Sequence, residues 1–72
     1  MELIPVNSSA FTHVGHDPDA NELHVTFKSG KTYIYSDVSP EQHQQMLDAT
    51  SMGAHFAQYI KPGRAVRSMG GF

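Results

Sequence analysis

The side chains that can do chemistry in this 72-residue chain are five histidines, three tyrosines, seven carboxylates and five Lys/Arg, with no cysteine. Without thiolates, a metal site would have to use histidine and carboxylate, and a hydrolase would have to use serine. His13 and His16 stand three apart in a strand-like run, which sends them to opposite faces, and neither is at helical ligand spacing from His43 or His55. Ser8, Ser9, Asp17 and Asp19 bring hydroxyls and carboxylates near one another in sequence. However, no G-x-S-x-G turn is present, and such residues at turns ordinarily cap backbone amides. The expectation is a chain with no catalytic residue, no bound metal and no cofactor.

Binding chemistry has more to work with. Lys28 and Lys31 flank a tight turn, and Lys61, Arg64 and Arg67 follow the last apolar stripe. With Tyr33 and Tyr35, which stand two apart and so share one face of a strand, they form a candidate nucleic-acid-binding set of cations and stacking rings. The formal charge is −2, so no global positive field gathers a polyanion, and any such binding must be local. Cations gathered on one face would favour RNA or single-stranded nucleic acid as partner. Scattered cations would favour a protein or small-ligand partner, with the chain a monomer or a homodimer.

The element that positions these groups is a hairpin. Runs 23–27 and 31–35 flank Lys28-Ser29-Gly30, and glycine closing a three-residue connection suits a type I turn followed by a left-handed bulge residue. Phe27 then faces Lys31, Val25 faces Tyr33 and Leu23 faces Tyr35. Leu23, Val25, Phe27, Tyr33 and Tyr35 share one apolar face, and His24, Thr26, Thr32 and Ile34 share the other. That register places the tyrosines under whatever covers the sheet, which favours packing over base stacking.

Upstream, Leu3 to Val6 is an extended lead-in kept out of helix by Pro5, and Phe11 to Asp17 is a strand in which Gly15 marks a bulge or a close backbone approach. Pro18-Asp19-Ala20-Asn21 turns the chain back, with Asn21 left-handed, pairing Asp17 with Glu22 and Val14 with Val25. His13 and His24 then fall on the outer sheet face as exposed strand residues. Downstream, Ser39-Pro40-Glu41-Gln42 is a helix start with a serine cap, proline in the first position and a capping box. Its apolar face carries His43, Met46, Leu47 and Thr50. Ser51 caps a second helix running to about Ile60 with Phe56, Tyr59 and Ile60 as its stripe, and Pro62-Gly63 ends it. The expected fold is α+β: a three-stranded antiparallel meander followed by two short helices packed on one face, as one domain over 1–61 with a mobile tail over 62–72. No stretch approaches the roughly 20 apolar residues of a membrane span, and the absence of cysteine suits a reducing cytoplasm.

Ser8-Ser9, Val14-Gly15 with Asp17, Leu23, Val25, Phe27, Gly30, Tyr33-Ile34-Tyr35, Val38 with Pro40, Leu47, Ser51, Gly53, Phe56 and Ile60 together carry a family resemblance. The chain resembles the KTSC domain, a small module named for its occurrence at the C-terminus of some lysyl-tRNA synthetases and found also as a stand-alone bacterial or phage protein. The resemblance spans about residues 4 to 60 and implies the fold. Through the synthetase context it also implies RNA binding, by a family whose function is undetermined. Three positions depart from the family pattern: His16, His43 and His55 stand where an aromatic residue, usually tyrosine, is common. They are read as planar substitutes at a half-buried rim. The glycine-rich ending also replaces the family's basic or aromatic one.

Overall fold

The structure, a computed structural model, describes residues 3–63 and 65–68. Its centre is the hairpin of β3 (Glu22–Phe27) and β4 (Thr32–Tyr35) in the expected register: Leu23 pairs with Tyr35, Val25 with Tyr33 and Thr26 with Thr32. The Phe27 amide donates to the Lys31 carbonyl at 2.9 Å, and Gly30 closes the turn at φ +95°, a conformation that a Cβ would strain. The strand before it, β2 (Phe11–Asp17), pairs Val14 with Val25 and Asp17 with Glu22, and Asn21 takes φ +52° in the connecting turn. The irregularity in β2 lies between Phe11 and His13 rather than at Gly15, which sits in regular pairing opposite His24.

The sheet has five antiparallel strands, two more than the meander expected from sequence. β1 (Ile4–Pro5) adds to β2, with the Val6 amide donating to the Thr12 carbonyl at 3.0 Å. β5 (Val66–Ser68) adds to β4 and lies within the segment set aside as a mobile tail. Neither strand announces itself in sequence, because each is two or three residues long and held by a neighbour's unpaired edge rather than by its own pattern. β3 lies at the centre of this sheet, and its His24 is only 9% exposed, against the expectation of an exposed strand residue. Residues 64 and 69–72, the rest of that expected tail, lie outside the described residues.

α1 (Pro40–Asp48) begins as its sequence requires: the Gln42 amide donates to Ser39 Oγ, and the Ser39 amide donates to Gln42 Oε1. Met46 is fully buried and Leu47 packs against the core, whereas Thr50 is exposed. α2 (Met52–His55) is capped by Ser51 and runs without a break into a π-turn, Phe56–Ile60, in which the Lys61 amide reaches the Phe56 carbonyl at 2.8 Å. A π-turn advances each residue by a smaller angle than the roughly 100° of an α-helix. Phe56 and Ile60, four apart, stay on the inward face as they would in an α-helix, while Tyr59 is carried further off that face, to 58% exposure. The expected stripe of three thus reduces to two.

The helices and the inner sheet face enclose one core of Phe11, Val14, Leu23, Val25, Tyr35, Val38, Met46, Phe56 and Ile60. Phe56 is its hub, meeting Phe11, Phe27 and Tyr35 edge-to-face at centroid distances of 5.2, 6.1 and 4.8 Å. Gly53 lets α2 close on the N-terminal loop: a Cβ there would stand 3.2 Å from that of Ala10. Among the described residues no helix is long and apolar enough to cross a membrane.

Candidate functional site

A cleft of about 320 Å³ opens between β1, β2 and α1. Its walls are Ile4, Val6, Val14 and Leu47, and two imidazoles, His16 and His43, form one side. The local sequence dictates this assembly. Alternation in β2 sends Val14 and His16 to the same face. The capping box fixes the start of α1, and helical spacing then brings His43 and Leu47 over that face. Pairing of Ile4 with Val14 supplies the remaining wall.

The imidazoles stack with centroids 5.1 Å apart and planes 11° from parallel. His16 Nε2 lies 2.6 Å from the Val38 carbonyl. A carbonyl only accepts, so Nε2 carries the proton and donates, which leaves Nδ1 of a neutral His16 as an acceptor. Burial, and then the charge of nearby His16, pushes the His43 pKa below its usual 6.5. Among the described residues no carboxylate lines the cleft. It is an apolar pocket with a small polar end, large enough for a ligand of several heavy atoms.

A second hollow, about 430 Å³ and more open, lies between α1 and the π-turn and is lined by Gln42, Gln45, His55, Tyr59 and Ile60. His55 and Tyr59 meet there at 4.8 Å. The expectation that His16, His43 and His55 occupy a half-buried rim agrees with their burial.

The residues singled out for nucleic acid are not brought together. Lys28 and Lys31 are exposed at the hairpin tip, and Lys61 is exposed after the π-turn. Arg67, opposite Ile34 in the ladder, pairs its guanidinium with Glu22 at the end of β3 remote from that tip. Arg64 lies outside the described residues. Tyr35 is a core residue against Phe56, and Tyr33 is half-buried, its ring edge-to-face with Phe27, so the two do not form an open stacking pair. Burial, and then the neighbouring Tyr33 hydroxyl, raises the Tyr35 pKa above its usual 10.0. Ser8 and Asp17 act as turn caps: Ser8 Oγ accepts from the Ala10 amide, and Asp17 Oδ1 accepts from the Asp19 and Ala20 amides. Among the described residues no three His, Cys, Asp or Glu converge in a way that could hold a metal ion.

The family model of the KTSC domain matches residues 7–63 of this chain. The chain belongs to the KTSC family. An uncharacterized protein of Stutzerimonas stutzeri is 42% identical over 62 residues, covering 86% of this chain and 87% of its own length. A protein of Tsukamurella paurometabola is 40% identical over 58 residues, covering 81% and 87%. The crystal structure of a KTSC domain protein from Yersinia pestis superposes with a TM-score of 0.90 at 35% identity, covering 96% of this chain and 97% of that one. The KTSC fold therefore accounts for Ser51-x-Gly53, as a helix cap and a close approach to Ala10, and for Tyr33-x-Tyr35, as inner-face packing.

Within this KTSC domain, sequence reasoning missed the cleft. Ile4 and Val6 carry a faint signal, apolar residues two apart in the lead-in, which is enough to suggest one shared face. Nothing in the sequence pairs His16 with His43. They are 27 positions apart, and their contact depends on where α1 lands on the sheet.

Proposed function

We propose that this KTSC domain is a non-catalytic binding module whose ligand is a small molecule seated in the cleft between β1, β2 and α1. The observation that carries the reading is the cleft itself: aliphatic walls converging on two stacked imidazoles, in a volume of about 320 Å³. The dispersal of Lys28, Lys31 and Arg67 and the packing of Tyr33 and Tyr35 also support it, because they remove the groove and the stacking platform that a nucleic-acid module needs. The test is an amide-detected NMR titration with 1-hexanol and hexanoate as probes. Shifts confined to Ile4, Val14, His16, His43 and Leu47 are the expected result. The reading is lost if neither probe moves these amides at millimolar concentration, or if the shifts map elsewhere.

A second reading keeps nucleic acid as the partner, held at the hairpin tip. The observation favouring it is that Lys28 and Lys31 are both exposed, with no carboxylate paired to them among the described residues. Contact with about three phosphates predicts a log–log salt slope near −2 for single-stranded RNA, and replacing both lysines by alanine should flatten that slope by roughly one to one and a half. Undetectable binding to RNA at low salt eliminates this reading.

A further inference from the structure

We infer that the ligand of the His16–His43 cleft is a small carboxylic acid with an aliphatic body, bound as the carboxylate together with one proton taken up by the imidazole pair. The inference rests on the cleft reading above and adds the chemistry of the ligand's head group.

Three features lead to it. First, the two rings present nitrogen at the end of an aliphatic pocket, and the short contact of His16 Nε2 to the Val38 carbonyl leaves Nδ1 as the atom of His16 that can gain a proton. Second, no carboxylate among the described residues lines the cleft. Of the described carboxylates near the lining residues in sequence, Asp17 accepts from the Asp19 and Ala20 amides, Asp48 accepts from the Gln44 side chain, and Glu41 and Asp37 are exposed and do not line the cleft. The other lining groups from β1, β2 and α1 are apolar. Third, an imidazolium facing another imidazole in an apolar pocket is disfavoured while it stands alone, which agrees with the lowered pKa of His43.

A carboxylate placed against the pair supplies the missing charge and accepts a charge-assisted hydrogen bond. The aliphatic walls set the rest of the molecule. A compact, strongly hydrated anion such as inorganic phosphate could accept the same hydrogen bond but would lose its water against Ile4, Val6, Val14 and Leu47 with no apolar area of its own to bury there. An alkyl chain gains from burying apolar area on the same side chains. A neutral alcohol of equal length keeps the chain but brings no charge, so its binding should ignore the protonation of the pair.

The experiment measures hexanoate and 1-hexanol binding to the full chain by isothermal titration calorimetry at pH 6 and pH 8, in buffers of differing ionisation enthalpy. Hexanoate stays ionised across that range. The expected result is hexanoate binding about tenfold or more tighter at pH 6 with roughly one proton taken up per ligand at pH 8, while 1-hexanol changes little with pH. His43→Phe keeps a planar ring on His16 but removes one imidazole of the pair, and should reduce the pH dependence of hexanoate binding. Should His43→Phe fail to fold, as read by its melting curve, the wild-type proton count decides alone. Hexanoate binding that is flat with pH, or no tighter than that of 1-hexanol, overturns the carboxylate inference and leaves the cleft reading standing. Failure of both probes to bind overturns both.

Discussion

Replacing Phe56 by alanine removes the side chain that ties the helical layer to the sheet. Phe56 is 4% exposed and meets Phe11, Phe27 and Tyr35 in edge-to-face pairs. Truncating a buried phenylalanine costs about 3 to 5 kcal/mol, and three ring pairs place this site at about 4 to 5. Ordinary per-residue stability gives a chain of 72 residues about 4 to 11 kcal/mol in all. Phe56→Ala should therefore remove between about two-fifths and all of the domain's stability. Phe27 offers the internal comparison. It makes three ring contacts as well, with Phe11, Tyr33 and Phe56, but it is only half-buried at the hairpin end, so Phe27→Ala should cost about 2 to 3 kcal/mol and remain folded. Urea titration followed by far-ultraviolet circular dichroism measures both. A Phe56→Ala midpoint close to wild type, or a larger loss from Phe27→Ala than from Phe56→Ala, would refute the placement of the hub.

Gly30→Ala should destabilise by about 1 to 2 kcal/mol through backbone conformation alone, since φ is +95° and nothing lies within 4 Å of an added Cβ; a melting temperature equal to wild type would contradict the bulge. The lowered pKa of His43 sets an acid limb: the unfolded chain binds the proton more readily, so stability is full above about pH 6.5 and declines as pH falls below it. Denaturant midpoints at pH 7.5 and 5 should show this loss, and His43→Phe should reduce it; an unchanged pH dependence in that variant would mean that other groups cause it. Tyr35 sets the opposite limb. Its raised pKa favours the neutral phenol in the folded state, so stability falls as pH rises beyond about 10, and Tyr35→Phe should lessen that fall.

The hairpin was legible because two independent constraints agreed: glycine at the turn and a single apolar face at one register only. Ser39-Pro40-Glu41-Gln42 was legible for a similar reason, since each residue has a distinct local role at a helix start. The misses share a cause as well. Val66–Ser68 forms a strand because β4 offers an open edge, not because its own residues alternate, and Tyr59 leaves the core because the helix widens at Phe56. His24 looked like a surface residue because its burial depends on the assembled fold rather than on its own alternation; neither ring nitrogen has a hydrogen-bond partner among the described residues, and Nε2 stands 3.7 Å from Glu22 Oε1. The cleft was illegible for the same reason: Ile4, His16 and His43 are neighbours only after β1 and α1 have docked on β2.

The π-turn also bears on how this fold tolerates changes in chain length. Its hydrogen bond from the Lys61 amide to the Phe56 carbonyl closes a loop one residue longer than an α-helical one. Deleting Gln58 would let the segment rewind as α-helix with Phe56 and Ile60 three apart, a spacing that still keeps them on one face. The slack is taken up on the solvent side, where Ala57, Gln58 and Tyr59 are exposed. A deletion there would cost the exposed ring its position while sparing the core, so this short loop of helix acts as an expansion joint, at which the chain can gain or lose a residue without disturbing the sheet beneath.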